Sequence, residues 1–408
     1  MRTDAPRITA LHFDDEELAR LAFPKSELRV WRGLGSGLCV DVGGGLWAIG
    51  DRGPNLKVKL AVERYGLEAV AGHGDKDGAK VMPCPEIGPA ISALRLDGDR
   101  VTIARTLPLL DRGARPISGL PVPGGDYMVS EPALDVDGAV IPPDPSGVDS
   151  EGIAPMQGGG FWIGDEYGPS LLRVGPDGAV RARWVPAGCG DLFAGAGYPI
   201  EERLPAIATR RRLNRGFEAL ATSLDGRSLF LAFQSPLSHP DDATHERASH
   251  VRIWRLDAGT GTVEAQYLYA LDPPAAFRRD AAKGAVERSD IKVSEIALLG
   301  PDRLLVLERA SETTKLYAVD LTPDRVLGPE HLDPATRPTL EELSGRGEAP
   351  PALAKRLVLD TDDHSEVSPD LEGIAVLDPR TLLLVNDNDF GIEGVRTRFW
   401  RVDLPADL

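Results

Sequence analysis

Cysteine is scarce in this chain of 408 residues. The three cysteines, Cys39, Cys84 and Cys189, lie far apart, and none stands in the CxxC spacing of zinc and redox motifs. This usage supports neither a disulfide scaffold nor a cysteine-based metal site. The core must therefore hold the fold together without covalent cross-links.

Basic residues are in the minority. The chain has 46 Lys and Arg against 63 Asp and Glu, which gives a formal net charge of -17 at pH 7. Nucleic-acid binding requires a basic surface, so we expect no nucleic-acid partner. The acidic balance is compatible with the binding of a cation.

Long apolar runs are also missing. No run approaches the roughly 18 residues that a membrane-spanning helix needs, so we expect no membrane partner. The first 23 residues carry Asp14, Asp15, Glu16 and Glu17 and lack the apolar region of a signal peptide. This predicts a cytoplasmic location.

Three common catalytic motifs are absent from the sequence. Without a GxSxG nucleophile elbow, a serine esterase of the α/β-hydrolase type is disfavoured. Neither a phosphate-binding P-loop nor a GxGxxG turn that opens a helix after a strand occurs. Nucleotide-binding enzymes of these two kinds are therefore not expected.

A short phrase recurs along the chain. It begins with a glutamate followed by small or branched apolar residues, and the glutamates are 67, 77 and 77 residues apart. Its copies start at Glu151, Glu218, Glu295 and Glu372. A second apolar run ends 13 to 15 residues later in a cluster, namely Asp165-Glu166, Phe233-Gln234, Glu308-Arg309 and Asn386-Asp387. A more divergent copy runs from Ser36 to Asp51-Arg52.

The repeats predict an all-β fold with little helix. The units contain strand-like runs, four in the complete copies and three in the last, bounded by turn pairs such as Asp177-Gly178. Four strands make one blade of a β-propeller. We expect one propeller domain over residues 1–408, with recognisable repeats over about 31–403 and five or six four-stranded blades. The segment from Ser118 to Glu131 is the candidate sixth copy. A strand near Arg7 would complete the last blade and close the ring, which removes exposed sheet edges.

The most specific block of the sequence resembles a known family. It reads Asp149-Ser150-Glu151-Gly152-Ile153-Ala154-Pro155, followed by Asp165-Glu166-Tyr167-Gly168-Pro169. Together with the segments 51–55, 214–221, 304–309, 371–375 and 386–390, it is similar to the phytase-like family, described by "esterase-like activity of phytase". The resemblance covers nearly the whole chain, from Trp31 to Val402. It implies a β-propeller and a hydrolase that acts on an ester or phosphoester. Members of this family are often exported, so the resemblance leaves export open beside the cytoplasmic location.

The repeated glutamates are the first candidate site. If the repeats are arranged radially, Glu151, Glu218, Glu295 and Glu372 converge, and close carboxylates repel unless a cation or protons intervene. Calcium prefers such oxygen ligands, so Ca²⁺ is the expected cofactor. The alternative is architectural, with each glutamate accepting hydrogen bonds from backbone N–H groups of a neighbouring blade.

The polar strand ends are the second candidate site. If the first two strands of each unit form a hairpin, these ends return to the glutamates. We expect Asp51, Asn386 and Asp387 to bind the metal ion and Asp165 and Glu166 to act in catalysis. Asx-turn chemistry at strand ends is the competing explanation for the same residue types.

Basic and aromatic residues complete the predicted site. Arg52 and Arg309 are expected to stabilise the charge that develops in the reaction. Arg215, in a basic island, is a candidate for attracting an anionic substrate. Lys57, Lys315 and Tyr167 are further candidates for substrate binding.

Three functions remain open from the sequence. The leading prediction is a calcium-assisted hydrolase of a phosphoester or related ester, with a small anionic or ester substrate bound at one mouth of the propeller. The first alternative is a sugar-lactone hydrolase with a bound divalent cation. The second is a non-catalytic propeller that binds a ligand or serves as a scaffold. A monomer is compatible with all three.

Overall fold

The computed structural model describes residues 5–74, 78–125 and 130–408, and strands dominate this part of the chain. The strands of the first half are β1 Arg7–Leu11, β2 Glu17–Ala22, β3 Glu27–Trp31, β4 Gly37–Val40, β5 Leu46–Ile49, β6 Leu56–Lys57, β7 Lys80–Val81, β8 Ala90–Asp97, β9 Arg100–Pro108, β10 Ala133–Leu134, β11 Val140–Ile141, β12 Ser150–Pro155, β13 Phe161–Asp165, β14 Ser170–Val174 and β15 Val180–Pro186. Those of the second half are β16 Ile200–Leu204, β17 Phe217–Thr222, β18 Ser228–Phe233, β19 His250–Asp257, β20 Val263–Ala270, β21 Lys292–Gly300, β22 Arg303–Arg309, β23 Thr314–Asp320, β24 Lys355–Asp360, β25 Leu371–Asp378, β26 Thr381–Asn386 and β27 Phe399–Asp403.

Helix is a minor component, as the sequence predicts. The α-helical segments are short, and all lie in the connections between strands: α1 Val58–Leu60, α2 Asp242–Arg247, α3 Arg278–Lys283 and α4 Leu340–Arg346. A π-helical turn, Ala61–Tyr65, continues α1. The 3-10 turns are Glu68–Val70, Gly190–Phe193, Ala206–Arg210, Pro274–Ala276, Arg288–Asp290, Pro323–Arg325, Pro329–Leu332, Thr361–Asp363 and Asp389–Gly391.

Five sheets carry the repeats. Their strand orders are β4-β5-β8-β9, β12-β13-β14-β15-β16, β17-β18-β19-β20, β21-β22-β23-β24 and β25-β26-β27-β1. The predicted N-terminal strand exists, because β1 pairs antiparallel with β27, with Arg7 opposite Asp403. Two smaller sheets, β2-β3 and β6-β7-β10-β11, complete the set that the described residues form. The candidate sixth copy, Ser118 to Glu131, falls partly outside the described residues.

The first strands of the five sheets contact one another in a cycle. β4 packs against β12, β12 against β17, β17 against β21, β21 against β25, and β25 against β4. Gly152 allows the close approach of two of them, since a Cβ at this position would lie 1.9 Å from the Glu218 main-chain oxygen. This cycle brings the start of every repeat to one place.

The second strands form the buried layers of the fold. Every residue of β13 and of β26 is buried, as expected for apolar runs that are covered on both faces. Aromatic rings fill the space between strands, and the rings of Trp162 and Trp184 lie 4.6 Å apart. Rigid packing on both sides therefore fixes the strand ends that carry the candidate residues.

Candidate functional site

A polar cavity of about 270 Å³ opens where the five first strands begin. Ten acidic and five basic side chains are among the residues that line it: Asp51, Asp149, Glu151, Glu166, Glu218, Asp370, Glu372, Asp387, Asp389, Glu393, Arg52, Lys57, Lys80, Lys292 and Arg309. Most of them come from the repeated units. The cavity is therefore the place where the two candidate sites of the sequence meet.

Hairpin pairing explains why the strand ends return to the glutamates. The first and second strands of each repeat are antiparallel, so Ser150 lies opposite Asp165, and Leu371 lies opposite Asn386. Residues that follow the second strand thus reach the end where the first strand starts. This pairing places Asp51, Arg52, Glu166, Arg309 and Asp387 around the cavity, as predicted.

A β-bulge directs three of the four glutamates into the cavity. The pairing of β17 skips Glu218, that of β25 skips Glu372, and that of β12 is irregular at Glu151. A residue left out of the ladder can aim its side chain away from the ordinary alternation. Since the same irregularity recurs, these three carboxylates share one orientation.

Glu295 does not share the orientation of the other three glutamates. The predicted register of this copy is wrong by one residue. In β21 the pairing skips Ser294, whereas Glu295 pairs with Leu307. The Glu295 carboxylate accepts a hydrogen bond from the Leu38 N–H at 3.1 Å and another from its neighbour Ile296 N–H at 3.2 Å. Glu295 is fully buried and does not line the cavity, so it takes the architectural role.

Two groups of three carboxylates meet the geometric requirement for a metal site. The first contains Asp51, Asp149 and Glu151, and the second contains Glu151, Glu372 and Asp387. Within each group, one ligand oxygen of every residue lies within 4.8 Å of the others. Glu151 belongs to both groups, so its two oxygens can face two neighbouring positions.

Unpartnered oxygens support a cation at this place. Glu151 Oε2 and Asp149 Oδ1 are buried and have no hydrogen-bond partner among the described residues. Buried carboxylate oxygens ordinarily have one, because desolvation is costly. Calcium ligands lie 2.3–2.6 Å from the ion, so oxygens within 4.8 Å of one another can share one ion. The donor set is all-oxygen and acidic, which fits calcium.

The pKa values of these carboxyls are raised. Burial, followed by the charge of Asp149, raises the pKa of Asp51 well above its usual range. Burial, followed by Asp51 and Glu166, does the same to the pKa of Glu151. Burial and the nearby Asp389 raise the pKa of Asp387 to about 8. Such raised pKa values are expected where buried carboxyls lie close together without a cation.

The two arginines of the cavity are held by carboxylates. Arg309 pairs with Asp370 and Glu372, and its Nε donates to Ser294 Oγ at 2.8 Å. Arg52 Nη2 lies 2.6 Å from a Glu131 oxygen. Its Nη1 has no hydrogen-bond partner in the part of the chain that the structure describes. Arg52 thus has one N–H edge free at the cavity wall.

A carboxyl pair forms another part of the wall. Burial, then the charge of Glu218, raises the pKa of Glu166 well above its usual value. Gln234 Nε2 donates to Glu166 Oε1 at 2.8 Å. Burial and the neighbouring negative charge thus favour the protonated form of Glu166.

Two predicted residues, Asp165 and Tyr167, lie behind the cavity wall. Asp165 is fully buried, pairs with Arg183, and accepts hydrogen bonds from the Tyr167 and Gly168 N–H groups, which holds the turn after β13. The Tyr167 hydroxyl accepts from the Glu131 N–H, and the Arg52 guanidinium covers its ring. Neither the Asp165 nor the Tyr167 side chain lines the cavity. Their contacts instead hold the residues that do.

Three more predictions are corrected in the same way. Lys315 lies in another cluster, where its ammonium is 3.1 Å from Asp272. Asn386 turns its amide to the backbone, accepting from the Arg398 N–H at 2.7 Å. Arg215 donates to Gln234 Oε1 at 2.9 Å, one layer behind the wall. In each case the side chain satisfies a local partner rather than facing the cavity.

Several wall residues were missed by sequence reasoning, among them Asp149, Asp370, Lys80 and Lys292. Asp149 and Asp370 each precede the glutamate of their copy by two residues, and this shared position was the signal that could have found them. Lys80 and Lys292 come from strands with no comparable signal. Their places depend on how distant segments meet.

A family comparison covers most of the chain. The sequence model of the phytase-like family, described as "Esterase-like activity of phytase", matches residues 29–390. An "Uncharacterized secreted protein" from Arthroderma benhamiae is 28% identical over 299 residues, which are 65% of this chain and 54% of that protein. The matched region thus spans about half the length of this curated relative.

Solved structures show only a distant likeness. Virginiamycin B lyase from Staphylococcus aureus has a TM-score of 0.34 at 9% identity, covering 98% of this chain and 99% of that one. Luciferin-regenerating enzyme has a TM-score of 0.34 at 11% identity, covering 98% and 97%. Aldose sugar dehydrogenase from Streptomyces coelicolor has a TM-score of 0.32 at 14% identity, covering 98% and 99%. Scores this low bear on neither activity nor substrate.

A helix needs a minimum length and hydropathy to span a membrane. Within residues 5–74, 78–125 and 130–408, every helix is too short or too polar to cross a bilayer.

Proposed function

The chain belongs to the phytase-like family, and we propose that it is a calcium-assisted hydrolase of phosphoesters or related esters that works in the polar cavity. The observation that carries the proposal is Glu151, which two carboxylate triads share and whose Oε2 lacks a partner among the described residues. A purely architectural glutamate would have its oxygens satisfied, as Glu295 does.

We infer that the five sheets are the blades of one propeller. Two observations support this: the cycle of contacts among the first strands, and the pairing of β1 with β27 that joins the two ends of the chain. In this arrangement the polar cavity is one mouth of a central channel. Ligands in closed β-folds commonly bind at such mouths.

The metal would be held by the two triads. Asp51, Asp149 and Glu151 form one position, and Glu151, Glu372 and Asp387 form the other. Bound calcium would polarise an ester oxygen and lower the pKa of a water molecule. The buried carboxylates would exchange their protons for the ion, which explains why so many acids tolerate burial together.

The protein's own residues would supply the remaining chemistry. Arg52 would donate its free Nη1–H to an oxygen on which negative charge develops. Arg309, fixed by Asp370 and Glu372, would hold the substrate orientation from the other side. Glu166, whose raised pKa favours its protonated form, would give its proton to the leaving oxygen.

We propose that the protein is exported. The curated relative is described as secreted, which favours export over the cytoplasmic location that the sequence predicts. Extracellular calcium sites work at about 10⁻⁴–10⁻³ M, so even a weak site would be filled there. Fractionation of cells that produce the full-length protein checks this, and retention of all the protein in the cytoplasm would contradict it.

The proposal is tested first by calcium binding and then by turnover. We expect purified protein to retain a divalent cation and its melting temperature to fall with EDTA and recover with calcium. Phosphomonoesters, phytate, p-nitrophenyl esters and lactones are then assayed in parallel with and without calcium. Calcium-dependent release of phosphate or alcohol supports the proposal. Lactone opening alone would favour the lactonase. Unchanged melting together with no turnover would leave a non-catalytic module.

A further inference from the structure

The basic residues of the cavity are of two kinds. Both arginines are bound to carboxylates, Arg52 to Glu131 and Arg309 to Asp370 and Glu372. The three lysines, Lys57, Lys80 and Lys292, line the same cavity, yet none is within 4.0 Å of a carboxylate oxygen of the described residues. Ten acidic side chains line this cavity, so free ammonium groups are unexpected there.

Two of these lysines face each other directly. Lys57 on β6 is paired with Lys80 on β7 in an antiparallel register. Directly opposed residues on neighbouring strands have Cβ atoms about 4.5–5.5 Å apart, and like charges there destabilise a sheet. These strands are only two residues long, so they have little pairing energy to offset the repulsion. An anion between the ammonium groups would remove it.

The third lysine, Lys292, is carried by one of the repeated sheets. Lys292 is the first residue of β21 and lies opposite Arg309 in the strand ladder. Burial and the positive neighbours Arg309 and Arg215 lower the pKa of Lys292 to about 8. Glu218 and Glu166 act against this shift, and an anion bound beside Lys292 would likewise favour its charged form.

We propose that Lys57, Lys80 and Lys292 form an anion subsite that takes the phosphate group of the substrate, beside the calcium-binding carboxylates. That the bound anion is a phosphate group of the substrate rests on the proposed function. That the three lysines bind an anion does not. Three ammonium groups provide donors for the oxygens of a tetrahedral dianion. The neighbouring carboxylate triads would repel such an anion, and a bound cation would remove that repulsion.

Inorganic phosphate is the probe that tests the subsite. Binding is measured by titration calorimetry on EDTA-treated protein and again on calcium-loaded protein. We expect phosphate to bind in both states and the affinity to fall about tenfold in Lys80→Met and in Lys292→Met, because each loses a charged hydrogen bond. Lys292→Arg, which keeps the charge, should stay within about threefold of the wild type.

Lys59→Met is the matched control. Lys59 is an exposed lysine of α1, two residues from Lys57, and it is not part of the cavity wall. Its removal changes the net charge equally and should leave phosphate affinity unchanged. An equal loss in Lys59→Met would show a general charge effect and overturn the subsite. So would equal losses in Lys292→Met and Lys292→Arg, or an unchanged affinity in Lys80→Met and Lys292→Met.

The two proposals fail in different ways. If the protein binds phosphate but shows no calcium binding at all, the calcium-assisted reaction is overturned and the subsite is kept. Calcium-dependent turnover of phosphomonoesters with an unchanged KM in both lysine-to-methionine variants would keep the reaction and overturn the subsite. Circular dichroism of each variant separates a lost contact from a lost fold.

Discussion

The two ends of the five first strands have opposite chemical character. Where the strands begin, acidic and basic side chains line a cavity of about 270 Å³. Where they leave, a second cavity of about 350 Å³ is lined mainly by aliphatic side chains, among them Leu38, Ile153, Leu220, Ile296 and Ile374. The same five strands thus border a polar cavity at one end and an apolar cavity at the other. A residue's position along its strand determines which cavity it lines.

Glu295 lies between the two ends. Its buried carboxylate accepts the Leu38 N–H from a strand that is not its neighbour in the cycle, so it links β21 to β4. Burial raises its pKa well above the usual value, although N–H groups of Leu38, Ile296 and Leu220 act against this. The comparison of Glu151 with Glu295 therefore separates a glutamate that lines the polar cavity from one that holds strands together.

The largest expected effect follows from replacing the shared ligand. Glu151→Gln takes a charged ligand from both triads, so we expect calcium affinity to fall by about 1,000-fold and calcium-dependent turnover to fall with it. Calcium titration and turnover measure the two losses. Glu295→Gln is the matched control, and equal losses of calcium affinity in both variants would contradict the distinction between them.

The next effect concerns stability. Glu295→Leu leaves backbone N–H groups of other strands buried without an acceptor, and we expect a loss of about 3 kcal/mol in the free energy of unfolding. Glu295→Gln keeps an amide oxygen and should cost about 1 kcal/mol. Urea denaturation with calcium present measures both. A Leu variant as stable as the wild type would show that Glu295 does not join the strands.

A smaller effect depends on pH. The pKa of Asp387 in the folded protein is about 8, above its ordinary value near 4, so folding favours the protonated form. Its contribution to calcium-free stability is present below about pH 4 and is lost as pH rises to about 8. Calcium must displace these protons, so its affinity should rise about tenfold per pH unit for each proton displaced. Melting curves at pH 5 to 8, with and without calcium, test this. A calcium-induced shift that does not grow with pH would refute it.

The smallest effect is expected at the apolar mouth. Leu224 is 75% exposed there, and Leu224→Ser should change the free energy of unfolding by no more than about 0.5 kcal/mol. Calcium affinity and turnover should also stay at wild-type values, because the polar cavity lies at the other ends of the strands. A marked loss of either would mean that the two mouths are coupled through Glu295.

Much of the fold follows from local pattern. Alternating apolar runs and Asp-Gly turns fix the strands, and the hairpin spacing returns Asp51, Glu166 and Asp387 to the glutamate end. The family resemblance is confirmed by the match over residues 29–390. These features are predictable because hairpin pairing and turn chemistry depend on residues close in sequence.

The register of Glu295 was missed by the sequence analysis. The other three glutamates are followed by a small residue, Gly152, Ala219 or Gly373, whereas Glu295 is followed directly by Ile296. The bulge of this copy falls at Ser294, so Glu295 occupies the position that Gly373 occupies in β25. Pairing with β22 decides this, and a shift of one residue turns a side chain to the other face of a strand.

The sequence by itself determined that the chain is all-β, that its repeats are hairpins, and that one end of every hairpin is polar. Only the tertiary structure decided that Asp149 meets Asp51 and Glu151, that Lys57 and Lys80 come to the cavity that Lys292 lines, and that Glu295 does not line it. The physical reason is distance along the chain. Hairpins are set by neighbours, whereas the meeting of residues many tens of positions apart depends on how all five sheets pack around their first strands.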